Sequence, residues 1–289
     1  MKNFNDLIQN PIITVNKDVV LENNQNWGLL FKLENNILSI VSKLRTSDKL
    51  TNYFDVSQGY IPYRTSDLIK SYGKEEGEKI TKERLWHSNI KINSEYKQEI
   101  YGRDISKYGY KKSESYVWYG KHLACYVDPK FFNSKRILIR EITNPTIIAC
   151  LLEEEFINDP QLINIINKPD VQIKLEFLWA LLNSKLATFY HFNASPKATK
   201  GAFPKILVND VNNFPFPIVV AVEIENEITR IVNKILEIKK TDNTIDTLPF
   251  ESEIDKLVYK LYDLTYEEVK VIDPEFGLSE VEYTAVRVG

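Results

Sequence analysis

Side chains that hold anions and side chains that stack on flat rings alternate along one stretch of the chain. Between Lys97 and Arg140 ten bases, among them Arg103, Lys107, Lys111, Lys112, Lys135 and Arg136, stand against four carboxylates (Glu99, Asp104, Glu114, Asp128). That local balance of +6 sits in a chain of net charge −3. Tyr101, Tyr108, Tyr110, Tyr116, Trp118 and Tyr119 are interleaved with the charges. Cations with aromatic faces between them suit a phosphate backbone and its bases. The alternation of Tyr116, Trp118 and His122 also describes an ordinary half-buried strand, and both readings stay open.

Two further stretches offer the same chemistry. From Lys185 to Asn209 there are four lysines and no carboxylate; Lys197 and Lys200, beside Ser195, Thr199 and Gly201, read as a flexible loop able to follow phosphates. The loop opened by Gly59 gathers Tyr60, Tyr63, Arg64, Thr65 and Ser66 around Pro62, stacking and hydrogen-bonding groups of the kind that recognition loops carry. By contrast, residues 219–289 set sixteen acids against eight bases and would repel a polyanion.

Tests for catalysis fail along the whole chain. None of the ten glycines makes a Gly-x-Gly turn, and the GKEEGEK run at Gly73 has the wrong spacing for a phosphate loop. His87, His122 and His191 are scattered outside any metal or nucleophile motif. Glu237 and Lys239 have the spacing of a magnesium nuclease but fall on an amphipathic helix without a strand, so they are set aside. No Asn-Pro-Pro-Tyr loop exists to hold a flipped adenine. Cys125 and Cys150 lie far from any partner ligand and read as core thiols.

A chain of 289 residues has room for one large domain or two smaller ones. The opening MKNFNDLIQN lacks an apolar signal core, and no run is apolar enough for a membrane helix, so cytoplasmic is the default location. Residues 1–36 read as an arm anchored by Trp27. The spacing predicts a helix over 37–53, and the polar run ending at Trp86 reads as a mobile excursion. One or two strands are expected before Pro160, with Arg136 and Arg140 alternating on a strand just upstream. Those two arginines either reach DNA or pair with Glu141 or the Glu153 to Glu155 run. Residues 171–190 should form one mostly buried helix. The isoleucines from Ile224 to Ile238, and the set Ile254, Leu257, Val258, Leu261 and Tyr262, predict a helical hairpin; Thr265 and Glu268 are placed as a capping box.

GRDISKYGY (102–110), SKRILIREIT (134–143), LLNSKLATFYHF (181–192), KGAFPKILVNDVNNFPFPI (200–218) and IDKLVYKLYDLTYEEVKVID (254–273), in that order, resemble the TaqI-like C-terminal specificity domain. DVSQGYIPYRTSDL resembles its opening loop, so the likeness runs from about Trp27 to Asp273. This is the target-recognition part of Type IIG restriction-modification enzymes and related adenine-specific DNA methyltransferases. The resemblance implies sequence-specific binding of double-stranded DNA, with chemistry done by separate methyltransferase and nuclease domains or subunits. It implies no cofactor in this chain; S-adenosylmethionine and magnesium would belong to those catalytic partners. The fold expected is α+β, a mixed twisted sheet with flanking helices over residues 37–218, then a C-terminal helical spacer over 219–289.

Within that frame Arg64 and Arg103 are expected to read guanine, and Lys107, Lys111, Lys112, Lys197 and Lys200 to contact phosphates. Tyr60, Tyr63, Tyr108, Lys135 and Arg136 complete the expected DNA surface. A magnesium-dependent nuclease and a stand-alone protein-interaction module are the competing classes.

Overall fold

A computed structural model describes residues 34–198, 203–218 and 220–286. Trp27, Thr199, Lys200 and Gly201, and almost all of the expected N-terminal arm, lie outside the described residues.

Helix α1 (Asn35–Leu44) buries Leu38, Ile40, Val41 and Leu44 on one stripe. It stops there instead of reaching Tyr53, because Asp48–Lys49 leaves as strand β1 and pairs antiparallel with β12 (Pro215–Phe216). Strands β2 (Phe54–Gln58), β8 (Arg136–Arg140), β9 (Ala149–Leu152) and β11 (Leu162–Asn167) form an antiparallel sheet in the order β2-β11-β8-β9. Alternate residues sort onto its two faces. Ile137, Ile139, Ala149, Ile163 and Ile165 enter the main core beneath the helices. Leu138, Cys150 and Leu162 meet Ile100, Ile105 and Phe156 on the opposite face.

A second sheet runs β10 (Ile157–Asn158), β4 (Tyr96–Ile100), β7 (Tyr116–Trp118), β3 (His87–Ser88). Its β10 and β4 are parallel and its other pairs antiparallel. A short hairpin, β5 (Ile105–Ser106) and β6 (Gly109–Tyr110), lies beyond it. The α+β class and the mixed pairing therefore stand, but the strands divide among several sheets.

The polar run before Trp86 is not an excursion. It forms α2 (Thr65–Tyr72) and α3 (Lys74–Glu83), reversed at Gly73, whose φ of 84° suits glycine. Together they bury Leu68, Ile80 and Trp86. The expected helix over 171–190 is two helices, α4 (Leu175–Asn183) and α5 (Lys185–Ala194). Ser184 breaks it: its backbone is extended and its hydroxyl oxygen accepts the Ala187 N–H at 3.1 Å, capping the second helix. Almost every residue of α4 is buried, as its near-continuous apolar sequence requires.

After α6 (Val208–Asn212) come α7 (Val222–Thr241) and α8 (Leu248–Leu261), the expected hairpin, with Ile224, Ile228, Ile231 and Ile235 buried. Helix α9 (Tyr266–Ile272) opens on the expected capping box: Glu268 accepts the Thr265 N–H at 2.8 Å, and Thr265 accepts the Glu268 N–H at 3.2 Å. These helices share one core with α1, α4 and the antiparallel sheet. Helix α10 (Glu280–Ala285) closes the described chain. No helix among the described residues is long and apolar enough to cross a membrane.

Candidate nucleic-acid interface

Two of the residues expected at a DNA surface are interior. Tyr60 has no exposed surface, and its hydroxyl donates to Glu99. Arg136 is equally buried. Its guanidinium donates to the Phe132 carbonyl (3.0 Å), the Glu154 carbonyl (3.2 Å), the Phe156 carbonyl and the Asn164 side chain (3.1 Å). Burial pushes that guanidinium down to about 10. Both are corrected here to structural residues. The carboxylate of Glu153 or Glu155 is not the partner of Arg136; the backbone is.

Much of the positive charge read from the sequence is answered within the chain. Lys107 pairs with Glu251 on α8 at 2.5 Å, and the Tyr108 hydroxyl donates to the same carboxylate. Lys112 meets Glu154 at 2.7 Å, Lys130 meets Asp55 at 2.8 Å, and Lys135 meets Glu176 at 2.6 Å and Glu153 at 3.2 Å. Arg64 holds Asp67 at 2.9 Å within α2. The exposed pairs of Arg64 and Lys112 exchange with water at small cost, whereas Lys107 and Glu251 are largely covered and hold each other. Lys97, Lys111, Lys121 and Lys197 are exposed and have no ion-pair partner among the described residues.

The polar groups converge instead on a cleft of about 490 Å³. Its floor is Glu99, fully buried on β4. One carboxylate oxygen accepts the Tyr101 hydroxyl and the Ser115 hydroxyl, each at 2.6 Å; the other accepts Tyr60 and lies 3.4 Å from His87 Nε2. Burial alone would raise the carboxyl of Glu99, but the adjacent His87 ring and the Ser115 and Tyr101 hydroxyls outweigh it and hold it at about 2. Tyr63 extends the chain of contacts. Its hydroxyl is 2.7 Å from His87 Nδ1 and accepts the Trp86 N–H at 3.0 Å, while its ring stacks on Trp86 at 4.9 Å.

Arg84, Asn89, Arg103, Asp159 and Gln161 complete the walls. Arg103 alone of the expected guanine readers lies here, with its side chain 79% exposed. The strand order explains the assembly: β10 pairs parallel with β4, which brings the Asp159 to Gln161 turn against the end of the Glu99 strand. Gly59 seals that junction, since a Cβ on it would stand 2.0 Å from the Asp159 carbonyl oxygen.

Glu99, Arg84, Asn89, Asp159 and Gln161 were not singled out for recognition from the sequence, and Tyr101 was noted only as one of the interleaved aromatics. Glu99 is the one with a legible signal, a carboxylate on a strand of alternating residues with Ile100 beside it. His122, by contrast, stacks on Trp118 at 4.0 Å, and His191 is buried against Thr143. Cys150 is a core thiol pushed up to about 12 by burial, whereas Cys125 is half-buried. Among the described residues no three His, Cys, Asp or Glu side chains converge as a metal site.

The chain is an α+β body with a polar cleft beside its mixed sheet. Residues 97–216 match the pattern of the family described as the TaqI-like C-terminal specificity domain. That span is narrower than the likeness read from Trp27 to Asp273. Over 182 residues the chain is 28% identical to a protein of Methanocaldococcus jannaschii named as a type II restriction enzyme and methyltransferase. The alignment takes in 61% of this chain and 15% of that protein's length. Similar solved structures include the Type IIL restriction-modification enzyme MmeI in complex with DNA, at 12% identity and a TM-score of 0.46 over 80% of this chain and 36% of that one. The type IIG restriction endonuclease BpuSI is similar at 12% identity and a TM-score of 0.43, over 85% of this chain and 34% of that one. The chain thus spans about a third of each of these two structures.

Proposed function

We propose that this chain reads the sequence of double-stranded DNA as the specificity domain of a restriction-modification enzyme, holding separate methyltransferase and nuclease parts on the target site. The observation that carries the reading is the match of residues 97–216 to the TaqI-like C-terminal specificity domain. The unpaired Lys97, Lys111, Lys121 and Lys197 supply phosphate contacts, and the cleft beside Glu99 supplies groups for base edges. Residues 37–218 make the recognition part on this reading. Residues 219–289 form the spacer, whose excess of sixteen acids over eight bases suits a protein partner better than DNA. S-adenosylmethionine and magnesium belong to the catalytic parts.

The test is selection of this chain's ligands from randomised duplex DNA at two salt concentrations. Enrichment of a short motif, with affinity falling as salt rises, supports the proposal. Cleavage of DNA by this chain with magnesium alone would make it a nuclease. Absence of any enrichment, together with salt-independent association with protein, would make it an interaction module.

A further inference from the structure

We propose that Arg103 reads a guanine in the target site from the rim of the Glu99 cleft, seated there by the ring of Tyr101; this rests on the reading of the chain as a DNA specificity domain.

The inference starts from the balance of groups in the cleft. Arg84 and Arg103 face Glu99 and Asp159, so the site is close to neutral and rich in both donors and acceptors. A phosphate would call for an excess of cations. A base edge is itself neutral and presents donors and acceptors side by side. The cleft is therefore matched to a base pair, and the lysines outside it to the backbone.

Arg84 and Arg103 are both exposed donors of the cleft, and of the two Arg103 lies closer over a ring, at 4.8 Å against 6.0 Å for Arg84 over Tyr63. The side chain of Arg103 is 79% exposed, its Nε lies no closer than 3.8 Å to Asp104, and its guanidinium rests 4.8 Å from the centre of the Tyr101 ring. That ring is held at both ends. The Tyr101 hydroxyl donates to Glu99 at 2.6 Å and contacts the Ser115 hydroxyl at 2.9 Å, while the Tyr101 N–H donates to Asp104 at 2.9 Å. A guanidinium lying over a fixed ring loses less freedom on binding and keeps its planar fork for two parallel hydrogen bonds, the pattern that guanine O6 and N7 accept. Arg64, the other arginine expected in this role, is engaged with Asp67 on its own helix and lies outside the cleft lining. The buried Glu99 network thereby gains a purpose in recognition: it fixes the platform under the reading residue.

The experiment is selection from randomised duplex DNA with the parent chain, Arg103→Ala, Arg103→Lys and, as a control, Arg64→Ala. Because Arg103 is exposed, its variants are expected to melt with the parent. The parent should enrich a motif containing a G·C pair at which Arg103→Ala loses discrimination by about 5- to 150-fold, the other positions being kept. Arg103→Lys, which retains the charge without the fork, should lose the same position while binding unselected DNA as the parent does. A motif unchanged in Arg103→Ala, or weakened evenly at every position, overturns the assignment while leaving the specificity reading intact. Loss of one G·C position in Arg64→Ala but not in Arg103→Ala overturns it too. If the parent enriches nothing, the specificity reading itself falls and the assignment falls with it.

Discussion

A guanidinium with no exposed surface must be answered by acceptors, and Arg136 is answered almost wholly by carbonyls of the chain around it. Replacing it with methionine keeps the stem and strands those carbonyls without donors. Each buried unsatisfied acceptor costs about 1 to 3 kcal/mol, so urea unfolding of Arg136→Met should show a loss of about 3 kcal/mol or more, and a loss below about 1 would remove its structural role. Three buried groups titrate below neutral pH, and Glu99 and His191 oppose Asp255: burial raises Asp255 from 3.8 to about 6, so it takes up its proton more readily in the folded chain and adds stability as pH falls through 6. The carboxyl of Glu99 sits at about 2 against an ordinary 4.5. As pH falls below 4.5 the unfolded chain takes up a proton that the folded chain refuses until about 2, and stability drops across that interval. His191 is pushed to about 4 from 6.5 by burial, with its Nδ1 unpartnered. It binds its proton more readily unfolded, so its contribution is full above 6.5 and is lost between 6.5 and 4, about 3 kcal/mol in all. Asp255 is common to both proteins, so melting temperatures followed from about pH 7.5 to 5 should drop further in the parent than in His191→Gln; parallel profiles in the two would show that His191 does not contribute.

At the scale of elements, a polar clasp adds to the shared core that joins the recognition body to the C-terminal helices. The turn between β5 and β6 is tied to α8 through Lys107, Tyr108 and Glu251, and to α4 through the Trp179 indole, which donates to the Lys107 carbonyl at 2.9 Å. Lys239 of α7 lies 4.8 Å from the Tyr108 ring. Glu251→Ala should therefore raise amide exchange over residues 105–112 and cost about 1 to 2 kcal/mol, while exchange in the antiparallel sheet stays as in the parent. Unchanged protection at 105–112 would mean that the hairpin is held without the clasp. That clasp also marks the limit of what was legible beforehand. The helical hairpin, the Thr265 box and the strand carrying Arg136 were legible because periodicity and capping are local. The break at Ser184 was hidden inside an apolar run that one helix or two could share. Strand β11, LINIIN, was passed over because a strand buried on both faces loses its alternation. Lys107 was read as a phosphate contact and Lys135 as part of the DNA surface because their partners, Glu251 and Glu176, lie far along the chain. The Glu99 cleft was invisible for the same reason: its walls come from five separate segments.

Over the whole molecule the arrangement of charge decides how a chain of net charge −3 could hold a polyanion at all. The acids of the last seventy or so residues gather on the helical part, and the carboxylates of Asp55, Glu153, Glu154, Glu176 and Glu251 pair with four of the ten bases of the basic segment. On the proposed reading, what the basic segment and the loop after α5 leave for DNA is Lys97, Lys111, Lys121 and Lys197, which are exposed and without an ion pair among the described residues, and a nearly neutral cleft. Few phosphate contacts mean weak binding to unselected DNA and a shallow dependence on salt, since each neutralised phosphate adds about −0.9 to the slope of log affinity against log salt. If those four lysines each meet one phosphate, the slope should be about −4. Lys111→Ala and Lys121→Ala should each make it shallower by about one and weaken all sequences alike. Lys107→Met should leave the slope unchanged and lower stability instead, because its charge is spent on Glu251. A titration series of these variants between low and physiological salt separates the two kinds of lysine. A slope that responds to Lys107→Met but not to Lys111→Ala would mean that the Glu251 pair opens on DNA, and would move the phosphate track to the α8 side of the molecule.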